Sequence, residues 1–582
     1  MNSGISLREG KLEPELYLRL IEYYNNQQLN SAYLERKWRQ WGKNTDLLYY
    51  TALREERELA WIVYNPLTST IEEVLLNPDE EDIKMETIID VLIMREILVA
   101  ALILAEDKIK YQLLVDYGFR PSRVYLEASF QVIKMDLSTS VLLRKLKGYR
   151  HPEPQTKEMV ALEKVPADES QEAIKAGLER LLNKLGGIEK YVDLGRRVVI
   201  KPNVVSEHGL KDGIYQGGIV TDPRLVRALV EILLPRAGQI IIAEGSSINR
   251  SETGKMFEHY GYAGIVQLDP EKISLLDLNQ DESREIRVPA GKRMSSRNIP
   301  LTLEEADVII SMPVMKIHFA ALVSLSLKNL QGAVPPLEKY MSHFFGLWQS
   351  LININQMVKS DLIIIDGLYG QEGFGPISGT PRQMDVLIAG TNPVAVDVVA
   401  TRVMGLDPEQ VPACFLAYLQ GMGPLELSSI EVLGPRLEEV TQSFQLPELN
   451  LSGGHSISIH NGQACRGCYA YLHFVINKLR KADPLENSRL LIDRPFSPAV
   501  NIFLGPDTEV EIDPRSTNIF MGLCQQHHAH LGRHIPGCPP HTETIIDTIY
   551  SLFPDAAKAK YADMSEEAKL GEMLQTILDM QR

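Results

Sequence analysis

The chain of 582 residues is short of several things, and each shortage removes a class of protein. It has five cysteines, an odd and small number, which excludes a secreted framework of paired disulfides. It has no long uncharged apolar run. The most apolar stretch, Ile88 to Ala105, contains Asp90, Arg95 and Glu96, so it reads as a helix followed by a strand, and no membrane contact is expected. Met1 to Gly10 lacks the basic-then-apolar pattern of a signal peptide, which leads to the expectation of a cytoplasmic protein. No Gly-x-Gly-x-x-Gly follows an apolar run, so a nicotinamide site is unsupported. Basic residues are in deficit, 60 against 76 acidic ones for a formal charge of −16, which disfavours nucleic acid as a partner. What remains is 44% hydrophobic, enough for several cores, and long enough for three or four domains.

Residues 1–145 form a first unit. Leu47 to Leu53 and Leu59 to Tyr64 read as paired strands joined by the charged turn Arg54-Glu55-Glu56-Arg57. Ile71 to Leu76 is a further strand, followed by a helix over Lys84 to Glu96, a strand over Leu98 to Ala105 and a helix over Lys108 to Tyr117. Val124 to Met135 then reads as one long closing strand. With the turn Tyr117-Gly118-Phe119-Arg120-Pro121, this order resembles the GNAT superfamily of N-acetyltransferases, which implies an α/β domain of that kind. Such enzymes hold the coenzyme A pyrophosphate on backbone N–H groups of a glycine-rich loop. The matching loop here, Leu76 to Asp82, has no glycine and four carboxylates, so an accessory or docking domain is expected.

Residues 146–158 read as a linker, with Pro152 and Pro154 among Lys147, Arg150 and Lys157. From Met159 the pattern changes to alternating strands and helices. Apolar runs at Arg197–Ile200, Gln239–Ala243, Asp307–Ser311, Leu362–Ile365 and Val386–Ala389 read as buried parallel strands. Helical patterns at Glu172–Leu185, Pro223–Leu234 and Val394–Met404 accompany them. The fold class expected is α/β, with a parallel-sheet core domain over 159–450 between the first unit and a Cys/His-rich metal-binding region over 451–582. Ligands of such sheets sit beyond the carboxyl ends of the strands. There the sequence places Lys201-Pro202-Asn203, then Lys316 and His318, Ser326 to Lys328, Asp366 and Asp397. Lys201, Lys316 and Lys328 with Asn203 form a cationic pocket for a small anionic substrate, with Asp366 and Asp397 balancing its charge. His318 moves protons beside Lys316 and Lys201. The alternative is surface lysines and helix-capping aspartates.

These segments, Ile200-Lys201-Pro202-Asn203, Thr221-Asp222-Pro223, Ser326-Leu327-Lys328-Asn329, Asp366-Gly367 and Asn392 to Asp397, resemble the domain-of-unknown-function family 362. Many of its members are iron–sulfur proteins, and the family name implies no reaction. A more distant similarity is to the nickel-pincer lactate racemase family, through Asp307, Lys316, His318, Ser326, Lys328 and Gly332; its repeated-glycine lysine motif is absent.

Four of the five cysteines and eight of the thirteen histidines fall in the last quarter of the chain. Cys465 and Cys468 form a Cys-x-x-Cys turn, and Cys524 and Cys538 follow singly, each with a glycine within two residues. Four thiolates with such neighbours fit a [4Fe–4S] cluster, whose potential is tuned by backbone N–H groups directed at sulfur. Gly537-Cys538-Pro539-Pro540 also resembles cluster-ligand segments of hydrogenase small subunits. The alternative is structural zinc, which more commonly takes two close cysteine pairs. His527, His528, His530, His534 and His541 could hold a second metal or act on substrate, while Cys414 reads as a small buried hydrophobe. Pro554 to Arg582 reads as an amphipathic packing or oligomer helix.

The leading expectation is therefore an iron–sulfur protein doing redox chemistry or electron transfer on an anionic small molecule. It would take electrons from a ferredoxin-like donor. A non-redox isomerase or lyase related to the racemase, and a zinc-stapled scaffold, stand as alternatives.

Overall fold

The computed structural model describes residues 4–552 apart from 81, 98–99, 212–213, 248–252, 290, 481–488, 496–497 and 509–511. The helix expected beyond Pro554 lies outside the described residues.

The first unit is a seven-stranded sheet. Among the described residues one pair is parallel, Thr70–Leu76 beside Ala100–Leu104, where Thr70 faces Ala100 and Ile71 faces Ala101. The expected strands and helices are present, with two corrections. Helices Pro14–Asn26 and Ser31–Trp41 precede them, and they bury Leu20, Leu34 and Trp41 on one face of the sheet. The long closing strand is a hairpin of Phe119–Glu127 and Phe130–Leu137, because the chain reverses at Ala128, whose φ is 59°. The apolar pattern runs on through that turn, which hides it.

Residues 146–158 do not hang free. The Arg150 guanidinium pairs with Glu409 at 2.9 Å, and the His151 ring donates to the Tyr418 carbonyl at 3.0 Å. The first unit and the core also share one continuous buried apolar cluster, from Tyr64 and Phe119 to Leu327, Leu351 and Val396.

The core sheet has ten strands and is mixed. Ile273–Asp277, Gln239–Glu244, Arg197–Pro202, Val308–Met312 and Leu362–Glu372 lie side by side and parallel. Thr380–Gly390 is antiparallel to the last of these, against the expectation for Val386–Ala389. The connection over 373–379 is a hairpin loop, too short for the crossover a parallel pair needs. After Pro313 the chain continues as Val314–His318, fully buried and paired with Leu322–Ser324. The helices start where their caps allow. Asp222 accepts from the Arg224 N–H at 2.9 Å ahead of Pro223–Leu233, and Asn392 caps Pro393–Val403.

The last quarter is a folded α/β unit. Four parallel strands, Ile457–Asn461, Val500–Leu504, Thr517–Met521 and Arg533–Ile535, are flanked by helices Arg466–Leu479 and Thr542–Tyr550. All four cysteines follow the carboxyl ends of these strands. Among the described residues no helix is long and apolar enough to cross a membrane.

Arg120 joins the first unit to the last. Its buried guanidinium donates to the carbonyls of Val115 at 2.8 Å, Phe119 at 2.7 Å, Cys524 at 2.9 Å and Pro506 at 3.4 Å. Hydrogen bonds to charged groups contribute about 1.5–3 kcal/mol each, so Arg120→Ala should cost roughly 2–4 kcal/mol. It should lower the melting temperature and open residues 146–158 to limited proteolysis. An unchanged digestion pattern would mean that the shared apolar cluster alone holds the units together.

Candidate anion cavity and cysteine centre

A cavity of about 470 Å³ lies between the carboxyl ends of the core strands and the last unit. Lys316, Lys328, Lys339, His318, Asn203 and Glu244 line one side. Phe319, Phe374, Tyr471 and Phe474 line another, with His343 and His541 towards the cysteines.

The lysines are deeply placed. The Lys316 ammonium, on a strand residue that is 1% exposed, donates to Asn203 Oδ1 at 2.6 Å and the Ile219 carbonyl at 2.7 Å. Lys339 donates to the Gly245 and Ser246 carbonyls at 2.8 and 3.0 Å and to Asn279 Oδ1 at 2.6 Å. Lys328 finds no hydrogen-bond or ion-pair partner among the described residues. Burial lowers all three, to about 7 for Lys316 and Lys339 and about 8 for Lys328, from an ordinary 10.5. The carboxylate in their midst, Glu244, is already engaged by Lys201 at 2.7 Å and by the N–H groups of Val204 and Gly245. Gly332 permits that pairing, since a Cβ there would stand 2.1 Å from Glu244 Oε1.

His318 departs from the expected proton-moving role. Its Nδ1 accepts from the N–H groups of Ala320 at 3.1 Å and Ala321 at 3.2 Å, which assigns the proton to Nε2. Burial and then the Lys328 charge hold the ring well below the usual histidine value. It is a neutral N–H donor to the cavity. His343 has the opposite tautomer: Nδ1 donates to the Pro539 carbonyl at 3.2 Å, leaving Nε2 bare. Sequence reasoning missed Glu244, Lys339 and His343, while His541, one of the candidate histidines, does line the cavity. Lys339 and His343 sit in Pro336–Phe345, a helix that follows no strand directly.

Three expected site residues do not reach the cavity wall. Lys201 stands behind it, against Glu244. Asp366 accepts from the N–H groups of Asp222 at 2.7 Å and Leu368 at 3.0 Å, and burial, then the Asp222 charge, raises it to about 7. Asp397 accepts from the N–H groups of Ser326 at 2.8 Å and Leu327 at 3.1 Å and from the Ser326 hydroxyl; burial raises it to about 7. It fixes the turn that carries Lys328. Both aspartates satisfy buried backbone donors instead of balancing lysine charge.

The four thiols of Cys465, Cys468, Cys524 and Cys538 converge closely enough to feel one another's charge. Hydrogen bonds from the Cys468 thiol and from backbone N–H groups lower Cys465 to about 7, while burial pushes Cys538 up to about 12. Gly522, at φ 85°, leaves room for the Cys468 sulfur, 3.2 Å from where its Cβ would stand. The first unit covers this centre: the Ser140 hydroxyl lies 3.7 Å from the Cys524 sulfur. Cys414 is buried in Pro412–Leu419, where its thiol is also pushed up. Among the described residues no three His, Cys, Asp or Glu side chains are disposed to hold a single metal ion. That covers the histidines of 527–541, of which only His541 reaches the cavity.

The two sites adjoin. Helix Arg466–Leu479 carries Cys468 at its start and Tyr471 and Phe474 in the cavity wall, and the Cys538 N–H donates to the His343 carbonyl at 2.9 Å.

Fold and site together define an α/β protein with a lysine-lined cavity set against a four-cysteine centre. Residues 198–402 match the family described as Domain of unknown function (DUF362), as the strand-end motifs indicated. A relative, the thylakoid-associated protein sll1697 of Synechocystis sp., is 29% identical over 287 residues, 48% of this chain and 84% of that protein. Among solved structures, a chimeric spermidine N-acetyltransferase SpeG from Vibrio cholerae is 14% identical with a TM-score of 0.19, covering 24% of this chain and 99% of that one. YjaB from Escherichia coli is 12% identical with a TM-score of 0.20, covering 23% and 96%.

Between pH 7 and 10 the unfolded chain binds protons that the native lysines lack, so stability contributed by Lys316 rises with pH across that window. Lys316→Met should flatten the rise in urea-unfolding free energy between about pH 7 and 10. An equal rise in the variant would show that Lys316 is charged in the native protein.

Proposed function

We propose that the protein is a cytoplasmic iron–sulfur redox protein that binds an anionic small molecule in the lysine-lined cavity. One observation carries the reading: the short segments that bring the four thiols together also build the cavity wall, through Cys468 and Tyr471 on one helix and Cys538 against His343.

In this reading the four thiols are ligands of a [4Fe–4S] cluster, each thiolate on its own iron, with a single zinc ion as the alternative. The glycine near each cysteine and the single, unpaired spacing of Cys524 and Cys538 in the sequence favour the cluster. A cluster bound there would supply single electrons. The chain's own groups do the rest. Lys328 and Lys316 hold the anion, and the neutral His318 donates its Nε2 proton in a hydrogen bond to an oxygen of the ligand. The C-terminal unit closes the cavity from above and limits water. Electrons arrive from a ferredoxin-like donor in this reading.

The test is iron and acid-labile sulfide content, with EPR, on protein purified without oxygen. Roughly four irons and four sulfides per chain, with an S = 1/2 signal on reduction, is the expected result. Cys465→Ser and Cys538→Ser should lose or alter that signal. One zinc and no sulfide would overturn the redox reading and leave a zinc-stapled protein.

A further inference from the structure

The cavity has two unlike walls. On the cationic side the donors are unequally used: Lys339 directs its ammonium at three protein oxygens, Lys316 at two, and Lys328 at none among the described residues. Free valence is concentrated at Lys328, beside the unused Nε2–H of His318. Next to His318 the lining turns aromatic, with three half-buried phenylalanines from separate segments. Phe319 follows the strand bearing Lys316 and His318, Phe374 lies in the hairpin loop, and Phe474 lies on the Cys468 helix. The Phe319 ring is 5.7 Å from Phe374 at 10° and 5.8 Å from Phe474 at 22°, and the His318 ring stacks on it at 5.1 Å. A cluster of half-exposed aromatic rings in a cavity wall offers apolar area that suits a flat ring better than a chain. A small aliphatic acid would satisfy the lysines and leave this wall in water.

Resting on the anion-binding reading above, we infer that the ligand is a flat ring bearing two or more anionic groups. The ring packs against Phe319, Phe374 and Phe474, and its anionic oxygens reach Lys328, Lys316 and His318.

The experiment is titration calorimetry on the full chain, purified without oxygen, with three probes. These are benzene-1,2,3-tricarboxylate, propane-1,2,3-tricarboxylate and inorganic pyrophosphate. The ring acid should bind at least ten-fold more tightly than the chain acid, which carries the same three carboxylates. Phe374→Ala should remove that advantage while leaving the chain acid's affinity in place, and Lys328→Met should weaken both acids at least ten-fold. Equal affinities of the two acids in the unaltered protein, or tighter binding of pyrophosphate than of the ring acid, would overturn the ring assignment and leave the anion site standing. Failure of all three probes to bind would overturn the anion site itself. The comparison within the unaltered protein needs no variant to fold.

Discussion

The arrangement depends on one electrostatic imbalance. Lys316, Lys328 and Lys339 are withdrawn from water around Glu244, and Lys201 has already neutralised that carboxylate. Removing an ammonium from water is costly unless a counter-charge meets it. The surrounding architecture supplies carbonyl and amide oxygens for two of the three and, among the described residues, nothing for Lys328. The strand ends, the turn at Ser326 and the helix over 336–345 can be understood as the scaffold that keeps those cations apart and pointed inward. A fold optimised for stability alone would place apolar side chains there.

The outline of this organisation was legible in the sequence where local rules suffice. Continuous apolar runs located the core strands, and strand-end motifs placed Lys316, Lys328, His318 and Asn203 around one pocket. The failures have a common cause, because each needed long-range information. Val386–Ala389 looks alike whether paired parallel or antiparallel, and only the short hairpin loop decides. Asp366 and Asp397 look like site carboxylates until the backbone donors they satisfy are seen. Lys339 and His343 belong to a helix whose approach to the cavity is set by packing. The last quarter is a separate case: it reads only as a Cys/His-rich metal-binding region, because its cysteines draw the attention and its four short parallel strands go unsought between them.

The first unit is tied into the molecule at the end that faces the cysteines: Arg120 crosses to the Cys524 and Pro506 carbonyls, and the Ser140 hydroxyl lies against the Cys524 sulfur. Its apolar core runs without a break into the central domain, so it is a wall of the molecule more than an appendage.

Helix Arg466–Leu479 carries Cys468 in its first turn and Tyr471 and Phe474, one and two turns on, in the cavity wall. A rigid element shared in this way makes the two sites thermodynamically reciprocal. Whatever preference an occupied cavity has for one arrangement of the Cys-x-x-Cys turn, a change at that turn must return to the cavity as an equal change in binding free energy. In the proposed reading, ligand affinity would then follow the state of the thiols, with no moving domain between the two.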